Sequence, residues 1–82
     1  AYCRESGIAL EAETDCCGVQ FYAGNFIGEQ TGKGGAAYHD RSAFCLESQF
    51  YPNAVNEPDF PSPVVKAGHT YHTETSYRFY LR

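Results

Sequence analysis

The sequence predicts an all-β chain whose antiparallel strands form a sandwich, and three observations favour this fold class. Apolar and polar residues alternate with a period of two in several segments, whereas no segment keeps a 3.6-residue period for more than two turns. Seven tyrosines and six phenylalanines favour strands over a helical bundle. Glycine-rich and proline-rich stretches separate the alternating segments, which is typical of short strands joined by turns.

Two strands are predicted near the start of the chain. Residues 8–13 predict the first strand, because apolar side chains occupy every second position there. Residues 15–18 predict a turn. Residues 19–22 predict a short second strand in which Gln20 and Tyr22 project from the same face, opposite to the apolar side chains.

The remaining chain predicts one long loop, one irregular stretch and two further strands. Five glycines over residues 24–40 indicate a long loop, and long ordered loops are often functional. Residues 43–51 predict the best buried strand of the chain. Four prolines prevent regular structure through most of residues 52–63. Residues 71–81 predict the longest strand, with one buried face and one solvated face, as in antiparallel sheets.

Composition excludes several classes of partner. The net charge of −4, from 6 basic and 10 acidic side chains, leaves no basic stripe that could bind nucleic acid. No apolar run approaches the roughly 18 residues of a membrane helix, and no export signal is visible, so we expect neither a membrane partner nor secretion. The four cysteines are predicted to be buried, reduced thiols of a cytoplasmic protein: Cys3, Cys16, Cys17 and Cys45. A small secreted disulfide protein is the alternative.

Several possible motifs carry little weight. The glycine-rich residues 28–34 lack the spacing of a phosphate-binding loop and no helix is predicted after them. Three histidines are predicted to be solvated: His39, His69 and His72. They form no metal-ligand pattern and no Ser–His–Asp arrangement. Glu57 and Asp59 could supply a second acid for glycoside cleavage, but the proline-rich loop fixes no spacing between carboxylates.

Glu47 is the unusual residue, because it is a carboxylate inside an otherwise apolar strand. It lies either on a solvated face or in a cleft, where it could act as a base. Gln49 is on the same face of the predicted strand, and Gln20 and Tyr22 occupy the polar face of theirs. Amide, phenol and carboxylate groups together are suited to bind sugar hydroxyls and sugar rings, so these residues predict a carbohydrate site.

Five segments, in one order, resemble the C-terminal end of the galactose mutarotase (aldose 1-epimerase) family. They are residues 18–26 (GVQFYAGNF), 33–35 (KGG), 41–49 (RSAFCLESQ), 52–56 (PNAVN) and 60–61 (FP). A preceding turn at residues 5–7 and the final strand extend the resemblance over essentially all 82 residues. The resemblance implies a large antiparallel β-sandwich, the supersandwich, of which residues 1–82 form one incomplete C-terminal segment.

The resemblance also implies a function. Members of the family interconvert the α and β anomers of free aldoses, mainly galactose and glucose, without a metal or organic cofactor. By resemblance Glu47 is the general base and Gln20 hydrogen-bonds the sugar, and Tyr22 and Gln49 are the further candidate substrate-binding residues. In the family, the histidine that acts as general acid and the residues that assist it lie upstream of the position that corresponds to Ala1. We therefore expect this chain alone to be inactive and its partner to be the missing N-terminal part of the same enzyme.

One alternative function stays open at this point. The same four residues could serve a non-catalytic carbohydrate-binding β-module, which would recognise sugar hydroxyls without turning the sugar over. A carbohydrate ligand is thus common to both interpretations, and only catalysis separates them.

Overall fold

The computed structural model describes all 82 residues, and six antiparallel strands form its regular structure. The strands are β1 (Ile8–Thr14), β2 (Gly18–Tyr22), β3 (Gln30–Thr31), β4 (Ala37–Tyr38), β5 (Cys45–Gln49) and β6 (Thr75–Leu81). Two single-turn 3-10 helices cover Lys33–Gly35 and Ala54–Asn56. No helix has the length and apolar character needed to cross a membrane. The predicted all-β, antiparallel fold class is confirmed.

The first and last strands form one antiparallel pair. Its register runs from Ile8 opposite Leu81 to Thr14 opposite Thr75. The predicted strand over residues 71–81 was four residues too long at its start. β1 ends at Thr14 and the chain turns there, so the residues before β6 have no strand to pair with; instead, Asp15 holds them by accepting a hydrogen bond from the Glu74 amide.

The second strand pair, β2 and β5, positions the candidate site. Its register runs from Gly18 opposite Gln49 to Tyr22 opposite Cys45. The predicted strand over residues 43–51 is shorter than expected at both ends, because β2 offers only five residues for pairing. This strand was also predicted to be the best buried one, but its inward residues are only half-buried.

The predicted loop over residues 24–40 contains a small hairpin, formed by β3 and β4, that the sequence did not reveal. The loop starts at Gly24, which is buried and has a φ of +72°. A Cβ at this position would collide with the carbonyl oxygen of Ala43. Glycine is therefore required where the chain leaves β2 and passes close to the start of β5.

Side chains join the two main strand pairs. The Thr75 hydroxyl donates to the Ser48 hydroxyl at 3.0 Å, and the Tyr77 phenol donates to the Leu46 carbonyl oxygen at 3.0 Å. Because strand side chains alternate, Leu46 and Ser48 lie on the face of β5 opposite to Glu47. The β2–β5 pair thus turns one face toward β6 and the other away from it.

The core is very small for a chain of this length. Only 3 of the 82 residues are buried, and the apolar ones with side chains are Ala9 and Ala54. The accessible surface is 6840 Å². A compact protein of 9.1 kDa would expose about 4,900 Å². The radius of gyration is 16.8 Å, whereas a compact domain of this length would have about 12 Å.

All four cysteines are free thiols, but the prediction that they are buried was wrong. Three of them are exposed and Cys16 is half-buried. The physical reason is the same small core, which offers no interior in which a thiol could pack as an apolar side chain.

Candidate functional site

Gln20 and Glu47 face each other directly across the β2–β5 ladder. Directly opposed residues of antiparallel strands have Cβ atoms about 5 Å apart and project from the same face. Tyr22 and Gln49 project from that face as well, because each is two residues along its strand from one of the central pair. The structure therefore places all four residues that the sequence predicts on one face of the ladder, with Tyr22 and Gln49 at its opposite ends, and we call Gln20, Tyr22, Glu47 and Gln49 the polar face.

The central pair keeps its hydrogen-bonding capacity largely free. Glu47 is exposed, and no protein group within hydrogen-bond distance donates to its carboxylate. Gln20 donates from Nε2 to the carbonyl oxygen of its neighbour Phe21 in a long contact of 3.4 Å. In this chain Glu47 therefore lies on a solvated face, opposite the glutamine, where a ligand hydroxyl could reach both groups.

Tyr22 is held more firmly than its neighbours on the polar face. Its phenol oxygen accepts a hydrogen bond of 2.9 Å from the backbone amide of Phe26. The turn that begins at Gly24 brings this amide back over the end of β2. The tyrosine ring is therefore fixed at the Cys45 end of the ladder, which limits how far a ligand could extend in that direction.

The opposite face of the same ladder is apolar. Phe21 packs against Phe44, with ring centroids 6.2 Å apart. Leu46 and Ser48 of this face contact β6 through the hydrogen bonds described above. The alternation along β2 and β5 therefore separates a packing face from a face available to a ligand.

The histidines lie apart from the polar face. His39 and His69 are exposed, as predicted, and so is His72. The prediction missed one contact, since His39 Nδ1 lies 2.7 Å from a carboxylate oxygen of Glu29 across the β3–β4 hairpin. No group of three or more His, Cys, Asp or Glu side chains is arranged to hold a metal ion. Glu57 lies in the exposed segment after β5.

A cavity that the sequence did not reveal lies at one end of the polar face. It has a volume of about 260 Å³ and includes Gln49 in its wall. The rest of the wall comes from residues 15–17 and 71–73, together with two side chains after β5. These segments are far apart in the sequence, and only the pairing of β1 with β6 brings them together.

A comparison with known protein families identifies the family of this chain. The family described as Aldose 1-epimerase matches residues 1–78. The chain belongs to the aldose 1-epimerase family. The resemblance noted in the sequence is thereby confirmed, and the antiparallel all-β structure agrees with part of a mutarotase-like β fold.

Individual aldose 1-epimerase relatives are similar over most of this chain. It is 49% identical to a galactose mutarotase of Bos taurus over 75 residues, which is 90% of this chain and 22% of the relative. It is 48% identical to a galactose mutarotase of Homo sapiens over the same coverage. It is 35% identical to an aldose 1-epimerase of Escherichia coli (strain K12) over 74 residues, which is 88% of this chain and 21% of the relative. The chain thus spans about a fifth of the length of these curated relatives.

Proposed function

We propose that this chain is the C-terminal, general-base-bearing segment of an aldose 1-epimerase that interconverts the α and β anomers of galactose and glucose. One observation carries the proposal: Glu47 and Gln20 oppose each other on the exposed polar face of one ladder. The names of the related proteins, galactose mutarotase and aldose 1-epimerase, support the same reaction class. Tyr22 and Gln49 would contribute further contacts to the sugar.

In this mechanism the Glu47 carboxylate takes the proton from the C1 hydroxyl of the sugar. The C1 oxygen becomes the aldehyde oxygen, the bond between C1 and the ring oxygen breaks, and an acid gives a proton to the ring oxygen. Rotation about the C1–C2 bond then presents the other side of the aldehyde. The reverse proton transfers close the ring as the other anomer, so no net proton is gained or lost. Gln20 would hold the hydroxyl at the carboxylate through its side-chain amide.

We propose further that residues 1–82 form one segment of a larger domain, whose remaining part supplies the acid and covers the exposed apolar side chains. The surface supports this, since it exceeds by about 1,900 Å² the area expected for a compact protein of this mass. Phe79 and Leu81 are 68% and 80% exposed on one face of β6. Bare apolar faces of this kind are typical of interfaces that a partner buries. The isolated chain should therefore have no mutarotase activity.

A cytoplasmic location is part of the same proposal. The free thiols support it, because exposed unpaired cysteines persist best in a reducing compartment.

Polarimetry with fresh α-galactose tests the proposal in the full-length enzyme of which this chain forms part. Glu47→Gln keeps the size and polarity of the side chain but removes the base, so kcat should fall by about 10² to 10⁴. KM should change little, because only proton transfer in the transition state is lost. Glu13→Gln, at an exposed position of β1, is the matched control and should keep the wild-type rate.

Three outcomes would contradict the proposal. A kcat for Glu47→Gln close to that of Glu13→Gln would exclude Glu47 as the base. A full-length protein that binds galactose without accelerating mutarotation would instead be the non-catalytic carbohydrate-binding module. An enzymatic rate from the pure 82-residue chain would show that no second part is needed.

A further inference from the structure

The cavity next to Gln49 combines polar groups with an aromatic wall. Phe50 and Tyr71 form that wall, with ring centroids 5.8 Å apart and an interplanar angle of 39°. Asp15 and His72 line the same space of about 260 Å³. One charged carboxylate, one imidazole, one amide and two rings therefore surround a volume large enough for a small molecule.

Two of the polar groups are kept in defined protonation states. The Thr73 hydroxyl donates to Asp15 Oδ1 at 2.7 Å and the Glu74 amide donates to the same oxygen at 2.9 Å. These hydrogen bonds lower the pKa of Asp15, so the carboxylate stays ionised at neutral pH. Partial desolvation, assisted by the nearby Cys16 thiol, raises the pKa of Tyr71, so its phenol stays protonated and can donate.

The same groups select among classes of ligand. The ionised Asp15 carboxylate disfavours an anionic ligand. Gln49, His72 and Tyr71 together can both donate and accept hydrogen bonds, which matches a ligand with several hydroxyl groups. The flat wall formed by the two rings suits the C–H face of a sugar ring.

We propose that this cavity is a second carbohydrate-binding site, which takes a neutral pyranose ring at the Gln49 end of the polar face. The two sites share only Gln49, and the other residues of the cavity wall are Phe50, Pro61 and residues 15–17 and 71–73. The inference therefore goes beyond the proposed function and does not need Glu47 to be a base.

The cysteines of the chain report on the two sites separately. Cys16 and Cys17 line the cavity, whereas Cys45 lies two residues from Glu47 on the polar face. Cys3 lies in the exposed N-terminal segment and lines neither site. The Thr73 hydroxyl donates its one hydrogen bond to Asp15 Oδ1, so its oxygen can accept one from the Cys16 thiol, whose sulfur lies 2.9 Å away. A ligand in the cavity would cover this thiol.

The experiment measures the rate at which iodoacetamide alkylates Cys3, Cys16, Cys17 and Cys45 in the full-length enzyme of which this chain forms part, by mass spectrometry, with and without methyl β-D-galactopyranoside. This glycoside has no free C1 hydroxyl and cannot undergo mutarotation. At saturating glycoside we expect alkylation of Cys16 to slow at least threefold, whereas Cys3 keeps its rate. Ethanolamine at the same concentration should leave Cys16 unprotected, because the site is proposed to take a neutral ring and not a cation.

Two histidine variants complete the test. His72→Ala removes a polar group of the cavity wall and should raise at least threefold the glycoside concentration that gives half-maximal protection of Cys16. His69→Ala changes an exposed histidine three residues away, outside the cavity, and should leave the protection unchanged. Circular dichroism of both variants should match that of the original enzyme, so that loss of protection reports loss of binding.

Three outcomes would overturn the inference, and a fourth would separate it from the proposed function. Protection of Cys45 without protection of Cys16 would leave sugar binding on the polar face intact but exclude the cavity. Equal slowing at all four cysteines would report a general change in the chain and not a site. Protection by ethanolamine but not by the glycoside would show that the cavity takes cations. Protection of Cys16 alone would support the cavity while counting against sugar binding at Glu47.

Discussion

Glu11 and Glu47 occupy equivalent positions in two antiparallel strand pairs, but only Glu11 has a partner on the opposite strand. Glu11 lies opposite Arg78, and the guanidinium comes within 3.7 Å of its carboxylate. Glu47 lies opposite Gln20, whose amide turns instead to the carbonyl oxygen of Phe21. The first pair contributes to its ladder, whereas the second leaves a carboxylate free to meet a ligand.

The same contrast extends to the two strand pairs as a whole. Two hydrogen bonds join the apolar face of the β2–β5 pair to β6, and the polar face on the other side carries the candidate site. In the β1–β6 pair the apolar side chains toward the end of β6, such as Phe79 and Leu81, stay bare. Only the β2–β5 pair thus carries the candidate site, whereas bare apolar side chains remain on both pairs, since Phe21 of β2 is also exposed.

The largest effect should come from breaking the turn that closes the β2–β5 pair. Gly24→Ala combines a left-handed backbone, which costs about 1–2 kcal/mol for a residue with a Cβ, with a clash against the Ala43 carbonyl. We expect a total loss of about 3 kcal/mol in the free energy of unfolding of the full-length enzyme, measured with urea. Gly28→Ala is the control, since its φ of +71° is similar but no atom lies within 4 Å of the added Cβ.

One result would contradict the proposed role of the close approach between Gly24 and Ala43. Equal losses for Gly24→Ala and Gly28→Ala would mean that only backbone conformation matters and that the close approach to Ala43 does not fix the turn.

The next effect concerns the bare face of the β1–β6 pair. Self-association of the isolated chain should bury Phe79, and burying such a side chain contributes about 1.5–3 kcal/mol. Phe79→Lys should therefore raise the dissociation constant about tenfold or more in sedimentation experiments. Ser76→Lys adds the same charge to the same strand on the opposite face and should change it far less. Similar weakening by both variants would point to charge repulsion in place of apolar contact.

The sequence revealed the fold as far as local patterns could. The alternation over residues 8–13 predicts β1, because the strand period depends on neighbouring residues only. The lengths of β5 and β6 were overestimated, because a strand ends where its partner ends. That partner lies far along the chain, as for Thr14 and Thr75. The β3–β4 hairpin was missed because two-residue strands leave no alternation to recognise.

The candidate site, like the fold, could be predicted from the sequence only in part. Glu47 is unusual as a carboxylate in an apolar strand, Gln20 lies on the polar face of its predicted strand, and the resemblance to a family gave both residues roles. Their direct opposition depends on the register of β2 against β5, which no single strand reveals. The cavity was not predicted, because Asp15 and Thr73 meet only through long-range pairing.

A smaller effect should appear at acid pH, where Asp15 ties residues 73 and 74 to the end of β1. Its pKa is lowered in the folded chain, so its stabilising contribution is present above the ordinary value of 3.8 and is lost as the pH falls through the folded pKa. Thr73→Val removes the main hydrogen-bond donor and should move the folded pKa back toward 3.8. A carboxyl titration by NMR measures this directly, and acid unfolding should begin at a higher pH. Thr70→Val, at an exposed neighbouring position, should leave the titration unchanged.

The smallest effect tests the difference between the paired carboxylate of Glu11 and the unpaired carboxylate of Glu47. Glu11→Gln and Glu47→Gln each remove one negative charge from a chain of net charge −4, so the change in overall charge repulsion is matched. Glu11→Gln should lower the free energy of unfolding by about 0.5 kcal/mol at low salt, because it breaks an exposed cross-strand ion pair. Glu47→Gln should cost nothing measurable, because its carboxylate has no protein partner to lose.

The salt dependence of the free energy of unfolding distinguishes this ion-pair effect from effects that do not depend on charge. At about 1 M salt the screening length falls to about 3 Å, so the cost of Glu11→Gln should largely disappear. The value for Glu47→Gln should stay near zero at both salt concentrations. A salt-sensitive cost for Glu47→Gln, equal to that of Glu11→Gln, would mean that Glu47 has a stabilising partner in the folded chain. The Glu47 carboxylate would then stabilise the β2–β5 ladder. It could bind a sugar hydroxyl only by losing that partner.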